Sequence, residues 1–588
     1  MRTTTFLALL GLTALCPSQS AILRQALINP TTQAPETVRG SLSHQKGIAL
    51  TADGRLWALV YVNDGGIVST DPPAKQDASM VLHLYTSVDG GTSWSVAARA
   101  RTLGSVYGSM VTGLDGYTLH VTYYARNGRR DSSNNPYYSI YYSAYDTRGK
   151  AWQGTQDQEI VVGTNSSSGT YSTPDIAVAD NGVIGIVFNC ARGVPSGWVG
   201  SSGSWCSGLI WNKGGKWSAP HRLNSSSESS GCNPNIQAWR NDFYASYRTT
   251  TGGYGTSVRR FDTVKAAFGG EGEIPVMPSS SNPAKNVSNM YANNVSCLAV
   301  QPNGDLYVLF ATGTSHTGGG KLWYAIAPAG TYKFGARIQL DDDPSMGWGN
   351  NTYRFYNLAR TGSGGLIALY SKKTESNQHL YMRALGPKGA VPPYPQNAIP
   401  YAKGVAAGQF YMLSTYRDQR CVTGDMVLVS DTSAVGPLTG GKAVFFGGGQ
   451  GAAIFKGLGC HGNLADTPYL TCAGMPTLGS NLGLSFTRHP ASTSGLLLVG
   501  IQDLKLANLL PLPLDLGPLG LTGCHLHTDL TMALSYSVDA SGAGALPIPI
   551  PNVVELKGIP VFFQSLLIAS GATPANLLAA NGLGVTFR

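Results

Sequence analysis

The sequence predicts an all-β protein built as a six-bladed propeller, and three observations carry that prediction. The 588 residues include 74 Gly and 33 Pro, which break helices, while Val, Ile, Thr and Tyr fill the short runs between them. One pattern, an apolar strand, a turn and a second alternating strand, recurs six times, from Gly47, Ser109, Asp175, Asn235, Cys297 and Tyr356, at separations of 62, 66, 60, 62 and 59 residues. Each copy carries DG, NG, ND or GG at its turn, the chemistry a tight hairpin needs because φ is positive there. A sheet of about four strands repeated at a fixed period reads as a propeller, because a sandwich has no reason to keep such a period.

Residues 1–20 read as a secretory signal peptide: Arg2, an apolar run from Phe6 to Leu15, then Ser18 and Ser20 ahead of a cut before Ala21. Leu15 before Cys16 argues against a lipid anchor. Beyond this segment no apolar run approaches the roughly 18 residues of a membrane helix, so the expectation is a secreted protein, extracellular or at the cell surface. Eight cysteines remain, an even number that suggests disulfides in an exported chain. Spacing favours Cys190 with Cys206 and Cys460 with Cys472, among about 105 possible arrangements.

The blades span residues 21–395. The Pro-rich run from Gly386 to Tyr401 marks their end, because it can neither extend a ladder nor form a helix. Residues 396–444 read as a linker with connecting strands. Charge divides at about the same place. Residues 405–588 hold 8 Lys and Arg against 9 Asp and Glu, so the net charge of +9 lies in the front part, where it favours an anionic partner. No nucleic-acid motif is present.

In blade one, LYTSVDGGTSW (84–94) resembles the Asp-box, S-x-D-x-G-x-x-W, of the sialidase superfamily of propellers, also called the BNR repeat. The resemblance implies a structural turn between outer strands, with Asp89 bonding backbone N–H groups and Trp94 packed. It also places chemistry on the other face, where inner strands begin and second strands end.

Second strands end at Asn63–Asp64, Arg126, Arg192, Arg248, His316 and Lys372–Lys373, and inner strands begin near His44, Tyr107, Tyr171, Asp175, Asn233, Asn235 and Arg354. Guanidinium groups bind carboxylates and sulfates bidentately at any relevant pH, so Arg126, Arg192 and Arg248, with Asp175, Asn235 and Arg354, form the expected binding set for an acidic glycan. The sialidase resemblance implies a glycoside hydrolase with Tyr356 as nucleophile, Glu228 as its activator and Asp77 as acid/base, Asp64 and Asp71 being rivals of Asp77. The family's Arg-Ile-Pro motif is absent, and His44 stands where its first Arg would. A His there resembles sialidase-fold polysaccharide lyases acting on uronic-acid polymers, with Tyr107 or Tyr171 as partner. A non-catalytic glycan-binding or adhesion propeller is the third alternative.

No cofactor is expected. Asp341–Asp343 reads as a solvated turn rather than a calcium loop, and His525 with His527 as a strand pair lacking further metal ligands. Residues 445–588 resemble a C-terminal β-sandwich module of exported bacterial proteins, in phrases such as PTLGSNLGLSFT and IPIPNVVELKGIPVFFQSLLI. That resemblance implies a separable unit with a possible role in surface association.

Overall fold

The structure, a computed structural model, describes the strands named below, the turns joining them and most of residues 459–587. Residues 1–23, 40–45, 64–79, 192–197, 225–231, 277–295, 342–355 and 386–397, with several shorter loops, lie outside the description.

The chain is all-β, and the six expected sheets are present. Their inner strands are Ile48–Leu50, Ser105–Thr112, Thr170–Val178, Cys232–Trp239, Cys297–Val300 and Tyr356–Arg360. Each begins a meander whose neighbours pair antiparallel, as in Cys232–Trp239, Asp242–Thr249, Gly255–Asp262 and Ala267–Pro275 of blade four. Inner strands touch their neighbours in succession around a central axis.

The blade count differs from the sequence expectation. Gln409–Thr415, Met426–Thr432 and Lys442–Gly447 form a seventh sheet, completed by the N-terminal strand Arg24–Leu27 as its outer member. Its inner strand packs on blade six, and its second strand reaches the inner strand of blade one, so the ring closes at seven. Residues 396–444 are therefore blade as much as linker.

Behind the ring lies the expected sandwich. Its larger sheet has the order Cys421–Thr423, Ala452–Lys456, Leu577–Thr586, Pro560–Ile568, Ser494–Gly500, Met532–Ser537, and its smaller sheet holds Tyr469–Ala473, Asn481–Thr487 and Gly544–Pro549. Leu470, Leu484, Phe486, Leu497, Phe563 and Val585 fill the space between them. The strand Cys421–Thr423 belongs to the sandwich yet lies between the first two strands of blade seven, so the two bodies are interwoven.

The sandwich sits against the face bearing the hairpin turns between inner and second strands. Gly54, with φ +79°, lies so near Thr586 that an added Cβ would stand 2.7 Å from Oγ1. The Tyr117 hydroxyl donates to Asp503, and Arg488 lies 3.8 Å from Asp180 and over the Trp239 ring. All of these contacts lie on the turn-bearing face, and the inner strands begin on the opposite one.

At the turn following the third strand of blade one, Ser87 Oγ accepts from Gly91 N at 2.8 Å, and the indole N–H of buried Trp94 donates to Gly91 O at 3.1 Å. Asp89, expected to bond backbone N–H groups of this turn, lies outside the described residues.

Neither expected disulfide is formed. Cys460 is bonded to Cys524, closing a separation of 64 residues, while Cys472 is packed in the sandwich core, where burial pushes its thiol up to about 12. Cys190 and Cys206 oppose each other across adjacent strands as hydrogen-bonded thiols.

Candidate functional site

Seven inner strands converge on the axis, so polar groups at their starts face one another across a narrow space. Lys46, just before the inner strand of blade one, is 3% exposed. Its ammonium donates to Asp175 Oδ1 and Oδ2 at 3.1 and 3.0 Å, and to the carbonyls of Ile176 and Ile236 at 2.6 Å each. Asp175 Oδ2 also accepts from the Asn235 amide and from Ile236 N at 2.9 Å, and Asn235 Oδ1 accepts from Leu298 N at 2.9 Å. Ser109 Oγ accepts from Lys46 N at 3.1 Å, so one network ties blades one to five together. A buried charge is tolerated when it is paired and its remaining protons are hydrogen-bonded, and both conditions hold here.

This corrects the role expected for Asp175 and Asn235. Both are fully buried, and the bonds just described hold them within the axis and away from a ligand. Lys46 was overlooked because a single Lys before a strand reads as solvated surface, and only the convergence of blades reveals its partner.

Tyr356 is corrected likewise. Its ring is 1% exposed, packed with Cys297, Leu309, Tyr324 and Leu358 between blades five and six, where a phenol cannot attack a substrate bound at the face. His44, Asp77 with its rivals Asp64 and Asp71, Glu228, Arg192, Arg354 and His316 lie outside the described residues. Arg248, Tyr107, Tyr171, Asn233 and Lys372 are placed by backbone alone, Arg248 within Asp242–Thr249 and opposite Thr256.

Arg126 is the expected binding arginine whose side chain is described. Its strand, Thr118–Arg130, pairs with Pro136–Asp146 in a ribbon of 13 and 11 residues, longer than the 8-residue pair Asp242–Thr249 and Gly255–Asp262 in blade four. Gly128, with φ +79°, falls where the register shifts between Arg126 and Arg130 and bends the ribbon. Arg126 is opposite Tyr138, its Nε donating to the phenol oxygen at 3.3 Å and its guanidinium carbon 5.8 Å from the ring centroid. Tyr124 meets the same ring edge-on at 5.6 Å.

Tyr138 in turn forms a parallel bridge with Thr170, the first residue of blade three's inner strand, so the ribbon reaches the neighbouring blade. Beneath it Ser139 donates to Glu159 at 2.6 Å, and the Asn127 amide donates to Ser139 and to the carbonyl of Gly163. These bonds, from residues adjacent to Arg126 and Tyr138, fix the ribbon at the level of that pair. Among the described residues no group of three or more His, Cys, Asp or Glu could hold a metal, His525 and His527 included, and no helix is long and apolar enough to cross a membrane.

No protein-family profile matches the chain, and no curated protein does. Among solved structures it is similar to the polysaccharide lyase Uly1 (11% identity, 72% of this chain and 98% of that one, TM-score 0.43). It is also similar to a PL25 ulvan lyase bound to -[GlcA(1-4)Rha3S]- (10% identity, 72% and 96%, TM-score 0.42) and to the Aleuria aurantia lectin in complex with Fucα1-6GlcNAc (14%, 60% and 95%, TM-score 0.34). Likenesses this loose assign no activity.

Proposed function

We propose that the propeller face opposite the sandwich is a binding site for an acidic carbohydrate polymer, with the blade-two ribbon as part of its wall. The observation that carries the reading is Arg126 held against Tyr138 at the open-face end of blade two. A guanidinium recognises a carboxylate or sulfate through paired N–H donors, and an aromatic ring beside it offers a flat apolar surface to a sugar. The basic excess of the front part supports the same choice of ligand. Arg192, Arg248 and Arg354 are proposed as further cations of the face.

With Tyr356 in the core, a double-displacement hydrolase has lost the nucleophile the sialidase resemblance offered it. Its burial favours, as second reading, cleavage by elimination with His44 as the base on a uronate whose charge an arginine neutralises. Asp77 remains the proposed acid/base of a hydrolase with another nucleophile, and Glu228 that nucleophile's activator.

Incubation of the purified protein with uronate-containing and sulfated polysaccharides tests the reading. Binding is expected to fall with rising salt, and elimination would add ultraviolet absorbance from an unsaturated uronate. Reducing ends without that absorbance would indicate hydrolysis. Absence of binding to every acidic polymer at low ionic strength would refute the proposal.

A further inference from the structure

In blade three the strands Ile184–Ala191 and Trp205–Lys213 pair antiparallel, with Cys190 opposite Cys206 and only the rung Ala191 with Trp205 beyond them. Directly opposed residues point to one side of a sheet, with Cβ atoms roughly 4.5–5.5 Å apart, against about 3.5–4.5 Å in a disulfide. A small approach of the two strands therefore suffices to join them. The same row continues to Tyr171 on the inner strand, and the adjacent rung carries Thr170, which bridges to Tyr138. The two thiols thus stand at the open-face end of blade three, flanking residues 192–204 in the chain.

We propose that Cys190 and Cys206 are a redox-active pair that closes to a disulfide across blade three, stapling its open-face strand ends beside the blade-two ribbon. The proposal holds whether or not the open face takes a glycan. The co-reactant is a low-molecular-weight or protein disulfide. A Cys206 thiolate attacks one of its sulfurs, forming a mixed disulfide and releasing one thiol. Cys190 then loses its proton and attacks the Cys206 sulfur, releasing the second thiol. The pair loses two electrons and two protons, and the oxidant is reduced to two thiols.

Cys206 is assigned the first attack because its thiol is lowered by the hydrogen bond with Cys190 and by the nearby Arg222 charge, against the opposing effect of burial. Arg222 is fixed there by strand pairing, opposite Gly208. Cys190 and Cys206 are 0% and 1% exposed, so reaction requires the strand ends to part. With one rung beyond the pair, that opening is a local fraying and does not require global unfolding.

The sequence provides a direct readout, because trypsin cleaves after Lys150, Arg192 and Lys213 and at no position between, placing Cys190 in peptide 151–192 and Cys206 in peptide 193–213. Folded full-length protein is titrated with glutathione disulfide, quenched with N-ethylmaleimide and digested without reduction. The expected product is peptide 151–192 linked to 193–213, separated by dithiothreitol. Cys190→Ser should instead accumulate glutathione on Cys206, whereas Cys206→Ser should leave Cys190 largely unmodified. Recovery of the two peptides unlinked at every oxidant ratio, or linkage of either to a different peptide, would overturn the proposal. Glutathione accumulating on Cys190 in Cys206→Ser, and not on Cys206 in Cys190→Ser, would overturn the order of attack.

Discussion

Lys46 and Arg126 represent two ways in which a single cation is used. Lys46 is enclosed, and all its donors are directed at Asp175 and two carbonyls. Replacing it with Met preserves much of the volume but leaves the Asp175 carboxylate without its counter-charge in a site that is 0% exposed. The expected loss is about 3–5 kcal/mol, as for other buried pairs broken on one side. It would be read from urea unfolding, and Lys46→Met/Asp175→Asn should recover part of it. A loss below about 1 kcal/mol would place the pair among surface ion pairs. Arg126 is only partly buried, so its removal should leave stability nearly unchanged and act on the ligand. Arg126→Ala is expected to weaken binding of an acidic polysaccharide by roughly 10- to 100-fold, corresponding to about 1.5–3 kcal/mol for a charge-assisted bond. Arg126→Lys should fall between, because a point charge retains attraction and loses the paired donors. Titration calorimetry at two salt concentrations would check both.

Among elements, turns and strand ends decide most of what was legible. Blades one to six could be read because their first hairpins carry DG, NG, ND or GG; Gly54, Gly116, Gly182 and Gly304 take positive φ in blades one, two, three and five, and Arg240 does so in blade four. Blade seven lacks that signal: the connection between its first two strands is a detour through Cys421–Thr423 in the sandwich, and its outer strand lies at the other end of the chain. Strand periodicity cannot announce a partner some 400 residues away. Site residues were legible where they end a second strand, as Arg126 does, and illegible where convergence buries them, as with Asp175, Asn235 and Tyr356.

The sandwich carries a pH dependence of its own. His489 is held below the ordinary histidine range, chiefly by burial, with Nδ1 bonded to Thr487 O and Nε2 3.1 Å from the Tyr536 hydroxyl. Below the unfolded histidine value of about 6.5, the unfolded chain binds a proton that the folded sandwich resists. Stability should therefore be full above that value and fall as pH is lowered through it. Urea midpoints at pH 7.5 and 5.5 should differ in that sense, and His489→Gln should reduce the difference.

For the whole molecule, interweaving removes the independence expected of the C-terminal unit. A chain ending near Tyr401 would lack three strands of blade seven, and Arg24–Leu27 would have no ladder to join. Such a fragment is expected to lose cooperative unfolding, whereas a separable sandwich would have left it intact. Circular dichroism with limited proteolysis distinguishes the two outcomes. The N-terminal strand also sets a schedule. Arg24–Leu27 leaves the ribosome before every other described strand, and its partner, Lys442–Gly447, emerges some 400 residues later. At the roughly 5–20 residues per second of synthesis, the first strand waits about 20–80 seconds with its edge unpaired. Any factor that holds the growing propeller in check need only shield that short strand and the finished blades from premature partners, because the clasp that fastens the circle emerges after every other blade.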